Sequence, residues 1–311
     1  MALGSITNDC ASFWKNTDTR LISSVFPTLN PKTKIFLDSG DPKETREIIK
    51  LLGFLDGQTT NPTLISKNPE AKKRLEEGRK FTKEEIFSFY RNVVSKLSAL
   101  MPRGSISIEV YADKSTSSEQ MFKQGKEMFS WIPNAQIKYP TTEEGLKAAE
   151  RSVKEGMRVN MTLCFTQEQA AAVYAATLGA KKGQVFVSPF VGRLDDIGEN
   201  GMDLIKNIIT MYKKGDGHVE VLAASIRSMD HFLYSLKLRS DIITAPLKIL
   251  KVWGEKGMPL PSEDFAYKTS LKQIPYQKIN LNKSWQEYNT VDELTEKGME
   301  KFSMDWNGMV V

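Results

Sequence analysis

The chain alternates between short β-branched stretches and longer segments in which apolar residues recur at helical spacing. The first such pair is KIFLD (34–38) followed by DPKETREIIKLLG. In the second segment, Asp41 suits a helix N-cap, Pro42 the first helical position and Gly53 the residue just beyond the helix. This pattern predicts a strand followed by a helix, which is one βα unit.

The same alternation recurs along most of the chain. A weak strand at GQTT and six further β-branched runs follow, at 57–60, 105–110, 135–140, 158–165, 184–189, 218–225 and 241–246. After one of these runs, Thr166 and Gln169 form a capping-box pattern, and Gly179 predicts the end of that helix. An open doubly wound sheet would usually carry a glycine-rich phosphate loop after its first strand, where this chain has LDSGDP. Eight β–α units therefore favour a closed α/β fold, the (β/α)8 TIM barrel.

The pattern changes at both ends of the predicted barrel. Residues 1–33 carry no pattern to which we assign a role, and residues 34–254 carry the alternation. Residues 255–311 pass through the Pro- and Gly-rich stretch GEKGMPLPSED and end in the helical pattern TVDELTEKGMEKFSMDW. We predict an N-terminal extension, one barrel domain and a C-terminal helical appendage packed on the barrel. The mixed-charge run at 70–85 is expected to form a solvated helix surface.

Charge and hydropathy argue against several classes of partner. The 311 residues include 43 basic and 38 acidic ones, a net charge of +5 that is not concentrated in one tract, so nucleic-acid binding is not indicated. No window reaches the roughly 18 consecutive apolar residues that a membrane span requires, and the chain does not start like a signal peptide. We expect a cytoplasmic protein without membrane contact. The sequence leaves homo-oligomer formation open.

Few residues are suited to bind a metal. Cys10 and Cys164 are too few for a disulfide framework or a thiolate metal cluster. His218 and His231 lie thirteen positions apart, without the spacing of a zinc site. We expect neither a metal nor a cofactor.

Polar residues collect at the C-terminal ends of the predicted strands, where barrel enzymes hold their chemistry. They are Asp38, Thr59, Thr60, Asn61, Glu109, Lys138, Asn160, Thr162, Ser188, Arg193, Ser225 and Arg227. Two carboxylates, Asp38 and Glu109, would thus face Lys138. Desolvation of a lysine favours the neutral amine, which attacks carbonyls to give imines, whereas neighbouring carboxylates favour the ammonium ion. A buried ion pair for the lysine and a surface position for the arginines are alternatives that these residues alone leave open.

Seven segments resemble, in order, the transaldolase family of class I Schiff-base aldolases. They are LDSGD (37–41), TTNPTLI (59–65), SIEVYAD (107–113), IKYPTTEEGLKA (137–148), NMTLCFTQEQA (160–170), SPFVGRLDD (188–196) and AASIR (223–227). The stretch DELTEKGMEKFSMDW is also similar to the closing helix of that family. The resemblance covers nearly the whole chain after residue 33.

The resemblance implies a role for each candidate residue. Lys138 would form an imine with C2 of a ketose phosphate, Asp38 would exchange a proton with the C4 hydroxyl, and Glu109 would act through a water positioned with Thr162. The dihydroxyacetone unit would be held by Asn61, Asn160 and Ser188. The phosphate would be held by Arg193, Ser225 and Arg227.

Members of the family divide into transferases and fructose-6-phosphate aldolases. The resemblance gives transferases a glutamate at the position of Glu109 and a phenylalanine at that of Phe190, where aldolases have glutamine and tyrosine. We therefore expect a transaldolase that acts on sugar phosphates. An aldolase that releases free dihydroxyacetone and a non-catalytic barrel that binds sugar phosphates are the alternatives. Tyr139 and Thr141 depart from the family pattern and bear on specificity.

Overall fold

Eight parallel strands close into a barrel in the part of the chain that the computed structural model describes, residues 33–311. The strands are β1 (Lys34–Asp38), β2 (Gly57–Thr59), β3 (Ser105–Glu109), β4 (Ala135–Pro140), β5 (Val159–Cys164), β6 (Val185–Pro189), β7 (Val219–Ala223) and β8 (Ile242–Ala245). Neighbours in sequence pair with each other, and β8 pairs with β1 to complete the ring. The predicted (β/α)8 barrel is thus confirmed, and every predicted strand is present.

Helices alternate with the strands around the barrel. They are α1 (Pro42–Leu52), α2 (Pro62–Ser66), α3 (Pro69–Glu76), α4 (Lys83–Leu100), α5 (Ser118–Phe129), α6 (Glu143–Lys154), α7 (Gln167–Ala176), α8 (Val191–Asp196), α9 (Gly201–Tyr212), α10 (Met229–Lys237), α11 (Leu247–Glu255) and α12 (Glu293–Met309). A short 3-10 turn, Trp285–Glu287, precedes α12. Among the residues from 33 onward, no helix combines the length and the apolar character that a membrane crossing needs.

The helix caps follow the sequence signals with one exception. Asp41 accepts a hydrogen bond from the Lys43 N–H at 2.8 Å, and Gly53 takes the left-handed conformation (φ 79°) that ends α1. The capping box between Thr166 and Gln169 is also present.

The predicted end of α7 at Gly179 was wrong, because the helix ends at Ala176. The Thr177 hydroxyl donates to the Val173 carbonyl at 2.7 Å and lies 3.1 Å from His218 Nε2, which holds residue 177 in a turn. Gly179 (φ 87°) lies in that turn, beyond the helix. The mixed-charge run at 70–85 likewise belongs to two helices, α3 and α4, with Gly78 (φ 73°) between them.

Apolar side chains pack on both faces of the barrel strands. Every residue of β4 and of β5 is buried. Inside the barrel, Phe36 and Phe186 meet edge to face with ring centres 6.2 Å apart. Polar residues are buried as well, both at the C-terminal ends of the strands and at Glu220, which pairs with Lys34 at 3.0 Å.

Helix α12 packs against α2 and β5. The Thr295 hydroxyl of α12 donates to the Leu163 carbonyl of β5 at 2.9 Å, and Thr63 of α2 is hydrogen-bonded to Asp305 of α12. The closing helix therefore lies beside the C-terminal ends of the strands, where the polar residues collect.

Candidate active site

A cavity of about 230 Å³ opens among the C-terminal ends of the strands. Nine of the candidate residues line it: Asp38, Thr59, Asn61, Lys138, Thr162, Ser188, Phe190, Arg193 and Ser225. Glu109 and Asn160 contact these residues from inside the barrel, whereas Arg227 lies at the protein surface. The barrel topology thus brings together side chains that are up to 187 positions apart between Asp38 and Ser225.

Lys138 is buried at the centre of this group. Strand alternation directs it into the barrel, and the β3–β4 register places it directly beside Glu109. Its Nζ lies 2.7 Å from Glu109 Oε2 and donates to the Thr60 carbonyl at 3.0 Å. Only 3% of Lys138 and 4% of Glu109 is exposed. The ammonium is thus held by a carboxylate and a backbone oxygen, at the wall of the cavity.

Burial changes the acidity of both carboxyl groups. It raises the pKa of Glu109, although the positive charge of Lys138 opposes this effect. Burial also raises the pKa of Asp38, against the hydrogen bond from Thr59 and the charge of Lys138. Both groups therefore take up a proton more readily than a carboxyl in water, which suits groups that give and take protons.

Two threonines support Asp38 from the neighbouring strands. The Thr59 hydroxyl donates to Asp38 Oδ1 at 2.6 Å, and Thr244 Oγ1 lies 2.6 Å from Thr59 Oγ1. Because the single Thr59 proton is used by Asp38, Thr244 is the donor in the second contact. The chain of hydroxyls fixes the carboxylate and stabilises its charged form.

Thr162 has an unusual hydroxyl. Its Oγ1 is buried and has no hydrogen-bond partner among residues 33–311, although Thr162 lines the cavity. An unpaired buried hydroxyl is costly, and a bound ligand or water would satisfy it.

Asn160 and Ser188 form a pair in which the serine faces the cavity. Ser188 Oγ donates to Asn160 Oδ1 at 2.6 Å, and Asn160 Nδ2 donates to Ser107 Oγ at 3.1 Å. Both ends of the Asn160 amide are thus engaged by the protein. Asn160 does not line the cavity of the described chain, so it orients Ser188 in this state.

Asn61 caps a helix and also lines the cavity. Its Oδ1 accepts the Leu64 N–H at 2.9 Å as the N-cap of α2. Since the oxygen is used by the cap, the amino group of the side chain is what remains for a ligand in the cavity.

Arg193 lies between two aromatic rings. Its guanidinium carbon is 5.3 Å from the centre of Phe190 and 5.2 Å from that of Phe302 on α12. Burial lowers the pKa of Arg193, and the negative charge of Glu109 opposes this. Ser225, after β7, also lines this part of the cavity. It adopts a left-handed backbone conformation (φ 57°) that is rare for serine. The two residues line the cavity beside β6 and β7.

Arg227 does not reach the cavity in this structure. Its guanidinium forms a two-pronged ion pair with Asp196 at the end of α8, with Nη2 2.7 Å from Oδ2. Within residues 33–311 it is absent from the cavity lining. The predicted phosphate contact of Arg227 therefore requires a movement of its side chain.

Seven residues outside the predicted set also line the cavity: Thr63, Leu64, Lys67, Ala224, Thr244, Lys301 and Phe302. Lys67 directly follows α2, the short helix after β2. A search that extended from the strand ends to the end of this helix would have found it. Lys301 and Phe302 lie on α12, and nothing in the local sequence indicates that this helix reaches the barrel mouth. Lys301 Nζ lies 2.5 Å from Asp305 Oδ1.

The residues from 33 onward contain no group of three or more His, Cys, Asp and Glu side chains that could hold a metal ion. The cavity and its walls carry one buried amine, two carboxyl groups, several hydroxyls, an arginine and the exposed lysines Lys67 and Lys301.

Comparison with known proteins identifies the family. A family model described as "Transaldolase/Fructose-6-phosphate aldolase" matches residues 35–310. This chain belongs to that family. The match spans the barrel of this transaldolase/fructose-6-phosphate aldolase family member together with α12, and it confirms the resemblance seen in the sequence.

Curated relatives within the transaldolase/fructose-6-phosphate aldolase family include proteins named "Probable transaldolase". The one from Dehalococcoides mccartyi is 41% identical over 217 residues, which cover 70% of this chain and 88% of the relative. The one from Herpetosiphon aurantiacus is 39% identical over 218 residues, which cover 70% of this chain and 86% of the relative.

Two solved structures show a more distant likeness. The crystal structure of an enolase protein from environmental sequencing of the Sargasso Sea matches with a TM-score of 0.45 and 6% identity, over 69% of this chain and 54% of that chain. A likeness at this level adds nothing to the assignment.

Proposed function

We propose that this protein is a transaldolase. It transfers a dihydroxyacetone unit from a ketose phosphate, sedoheptulose 7-phosphate or fructose 6-phosphate, to an aldose phosphate, through a Schiff base on Lys138. Such a reaction belongs to the pentose phosphate pathway, and we place it in the cytoplasm. The observation that carries the proposal is the buried amine of Lys138, 2.7 Å from Glu109 in the cavity that Asp38 shares.

The reaction begins with imine formation. Lys138 transfers its proton to Glu109 and attacks C2 of the ketose, and the carbinolamine then loses water to give a protonated imine. The raised pKa of Glu109 supports the first transfer, since it makes the carboxylate a better proton acceptor. The protonated carboxyl group then gives its proton to the leaving hydroxyl. The unpartnered hydroxyl of Thr162 is suited to hold the water that carries the proton.

Cleavage follows from the charge on the imine. Asp38 takes the proton of the C4 hydroxyl and the C3–C4 bond breaks. Its electron pair forms the C2=C3 double bond while the C=N π pair moves onto the nitrogen, which gives an enamine. The aldose phosphate departs, and an acceptor aldehyde enters and is attacked by C3 while Asp38 returns the proton. In this proposal Asn61 and Ser188 bind the hydroxyls of the retained fragment, and Asn160 orients Ser188 through their hydrogen bond.

The proposal puts the phosphate at the end of the cavity formed by Arg193, Ser225 and Arg227. Arginine and hydroxyl donors suit a phosphate because the planar guanidinium matches two of its oxygens. The fragment on Lys138 carries no phosphate, so the departing aldose phosphate exchanges at this end while the enamine stays attached.

A structural ion pair between Lys138 and Glu109 is the simplest alternative. Such a pair would satisfy both side chains, but it would not require a cavity, a second carboxyl group at Asp38 or an unpaired hydroxyl at Thr162. These features support a reaction at the lysine.

Borohydride trapping on the unmodified protein tests the proposal. Fructose 6-phosphate and borohydride are added, and the digested protein is mapped by mass spectrometry. We expect a reduced ketose adduct on the peptide that contains Lys138. Lys67 and Lys301 line the same cavity and serve as internal controls. An adduct on either of them, or none, would refute the Schiff base at Lys138.

Asp38→Asn separates imine formation from cleavage. Because a side-chain amide cannot take the C4 proton, we expect the adduct to form on Lys138 while turnover falls by roughly 10²–10⁴-fold, the range for a general base. Undiminished turnover would remove Asp38 from the mechanism.

An aldolase that releases free dihydroxyacetone is the second candidate. Glu109 and Phe190 support the transferase, since the aldolases have glutamine and tyrosine at these positions. Product analysis with and without erythrose 4-phosphate distinguishes the two. Release of dihydroxyacetone at the same rate in both conditions would assign the chain to the aldolases.

A further inference from the structure

The surface beside the cavity holds an arginine that is already neutralised. Arg227 forms a two-pronged ion pair with Asp196, and about half of each side chain is exposed. The other arginine at this end, Arg193, lines the cavity and has aromatic neighbours. Only one of the two arginines is therefore available to an entering anion without rearrangement.

The Nη1/Nη2 edge of the Arg227 guanidinium faces Asp196. The Nε end of the side chain packs against Gly192, so closely that a Cβ atom there would overlap Nε. A phosphate that binds through Nη1 and Nη2 must therefore displace Asp196.

The backbone around the pair is held firmly. The Arg227 N–H donates to His231 Nδ1 at 3.4 Å, and His231 Nε2 lies 3.0 Å from Asp195 Oδ2. Asp195 Oδ1 also accepts the Gly201 N–H at 3.0 Å. Asp195 thus anchors the loops. Arg227 can leave the neighbouring Asp196 by a rotation of its own side chain.

We propose that Asp196 is an internal competitor of the substrate phosphate for Arg227, and so sets the affinity for phosphorylated sugars. This inference rests on the proposed function, in which Arg227 contacts the phosphate. In the empty site Asp196 occupies the guanidinium, and a phosphate dianion displaces it. Each binding event therefore breaks the Arg227–Asp196 ion pair, which lowers the affinity for substrate and product alike.

Asp196→Asn tests this proposal by removing the charge while keeping the shape of the side chain. We expect KM for fructose 6-phosphate to fall by roughly two- to five-fold, in keeping with the modest strength of exposed ion pairs. The values of kcat and of KM for unphosphorylated fructose should not change. Calorimetry with inorganic phosphate should show tighter binding by the same factor.

Two further variants make the result specific. Asp230→Asn removes a negative charge three positions from Arg227 and is the matched control, which should leave KM unchanged. In an Arg227→Ala background, Asp196→Asn should have no effect on phosphate binding, because the competitor has lost its target.

Three outcomes would overturn the proposal. A higher or unchanged KM in Asp196→Asn would show that the pair positions Arg227 or has no role. An equal gain in Asp230→Asn would show a general field effect, and a gain that persists without Arg227 would show another target. Absence of turnover in the unmodified protein would refute the transaldolase assignment only, since the calorimetry does not depend on turnover.

Discussion

Tyr139 follows the proposed nucleophile in sequence but lies on the other side of the sheet. Its hydroxyl is 3.0 Å from Ser152 Oγ of α6, and the α5 residue Gly125 lies so close that a Cβ atom there would overlap the Tyr139 hydroxyl. The departure from the family pattern at this position therefore concerns the packing of two helices on the barrel. We had connected it with specificity, and its outward position does not support that connection.

Tyr139→Phe should leave the reaction unchanged. We expect the same kcat and the same KM for each sugar phosphate, because the side chain does not line the cavity of the described chain. The free energy of unfolding should fall by about 0.5–1.5 kcal/mol, the net value of one hydrogen bond. Steady-state kinetics and urea unfolding measure the two effects, and a changed donor preference would contradict the prediction.

Thr59 tunes the carboxyl group of Asp38. Its hydrogen bond stabilises the ionised form and lowers the pKa of Asp38, so Thr59→Val should raise that pKa further. Cleavage needs the ionised carboxylate, so the acid limb of kcat/KM should move to higher pH. Thr244→Val, which removes the second hydroxyl of the chain, should give a smaller change in the same direction. An acid limb that stays in place or moves to lower pH would show that Thr59 does not act on Asp38.

Strand alternation was sufficient to predict the orientation of several site residues. Lys138 and Tyr139 differ by one position in β4, and this alone places one in the barrel and the other outside it. The pairing of Arg227 with Asp196 was not predictable, because Asp196 ends α8 and Arg227 lies in the loop after β7, 31 positions further along the chain. Such a contact depends on the geometry of that loop, which the local pattern does not contain.

At the scale of elements, α12 is the component that the sequence described least well. The helix was predicted, but its contribution of Lys301 and Phe302 to the cavity was not. It passes close to the barrel at Gly298, where a Cβ atom would lie 2.6 Å from Arg193 Nη1 and 2.6 Å from Leu163 Cδ2. A helix this close determines where the Arg193 guanidinium lies.

Gly298→Ala should therefore displace Arg193. We expect a higher KM for phosphorylated sugars and a loss of about 1–3 kcal/mol of stability from overpacking, despite the better helix propensity of alanine. Gly308→Ala in the same helix is the matched control, because open space surrounds that position. The control should gain up to about 1 kcal/mol without a change in KM. Equal effects of the two variants, measured by kinetics and thermal unfolding, would contradict this view of α12.

At the scale of the whole molecule, an aromatic cluster connects α12 with the active site. Trp306 packs against Phe87 and Tyr90 of α4, with ring centres 5.8 and 6.2 Å apart. The Tyr90 hydroxyl lies 2.6 Å from Thr60 Oγ1 and accepts the Glu109 N–H at 3.1 Å. The C-terminal helix thus supports the strand that carries the partner of Lys138.

Trp306→Ala should weaken both stability and catalysis. Loss of a large buried ring costs about 3–5 kcal/mol, and a free Tyr90 ring would loosen the backbone at Glu109. Met304→Ala, at a residue 63% exposed, is the control and should change stability by less than about 0.5 kcal/mol. Urea unfolding and turnover at a temperature below both transitions separate the two effects. Full activity of the folded Trp306→Ala protein would show that the cluster serves stability alone.

The barrel was predictable because each of its units repeats the same local signals. Caps, β-branched runs and alternation all agree with one another from β1 to β8, and consistency of this kind favours a single fold. The end of α7 escaped prediction since the contact of Thr177 with His218 joins residues 41 positions apart.

Closure of the ring has a consequence for biosynthesis. Residues 34–37 of β1 pair with residues 242–245 of β8, so β1 cannot complete its pairing in the barrel until β8 has been synthesised. Until translation passes residue 245, a nascent chain presents an open sheet edge that other chains could join. Molecular chaperones that cover such edges would therefore matter most during synthesis of this protein, and little after its release.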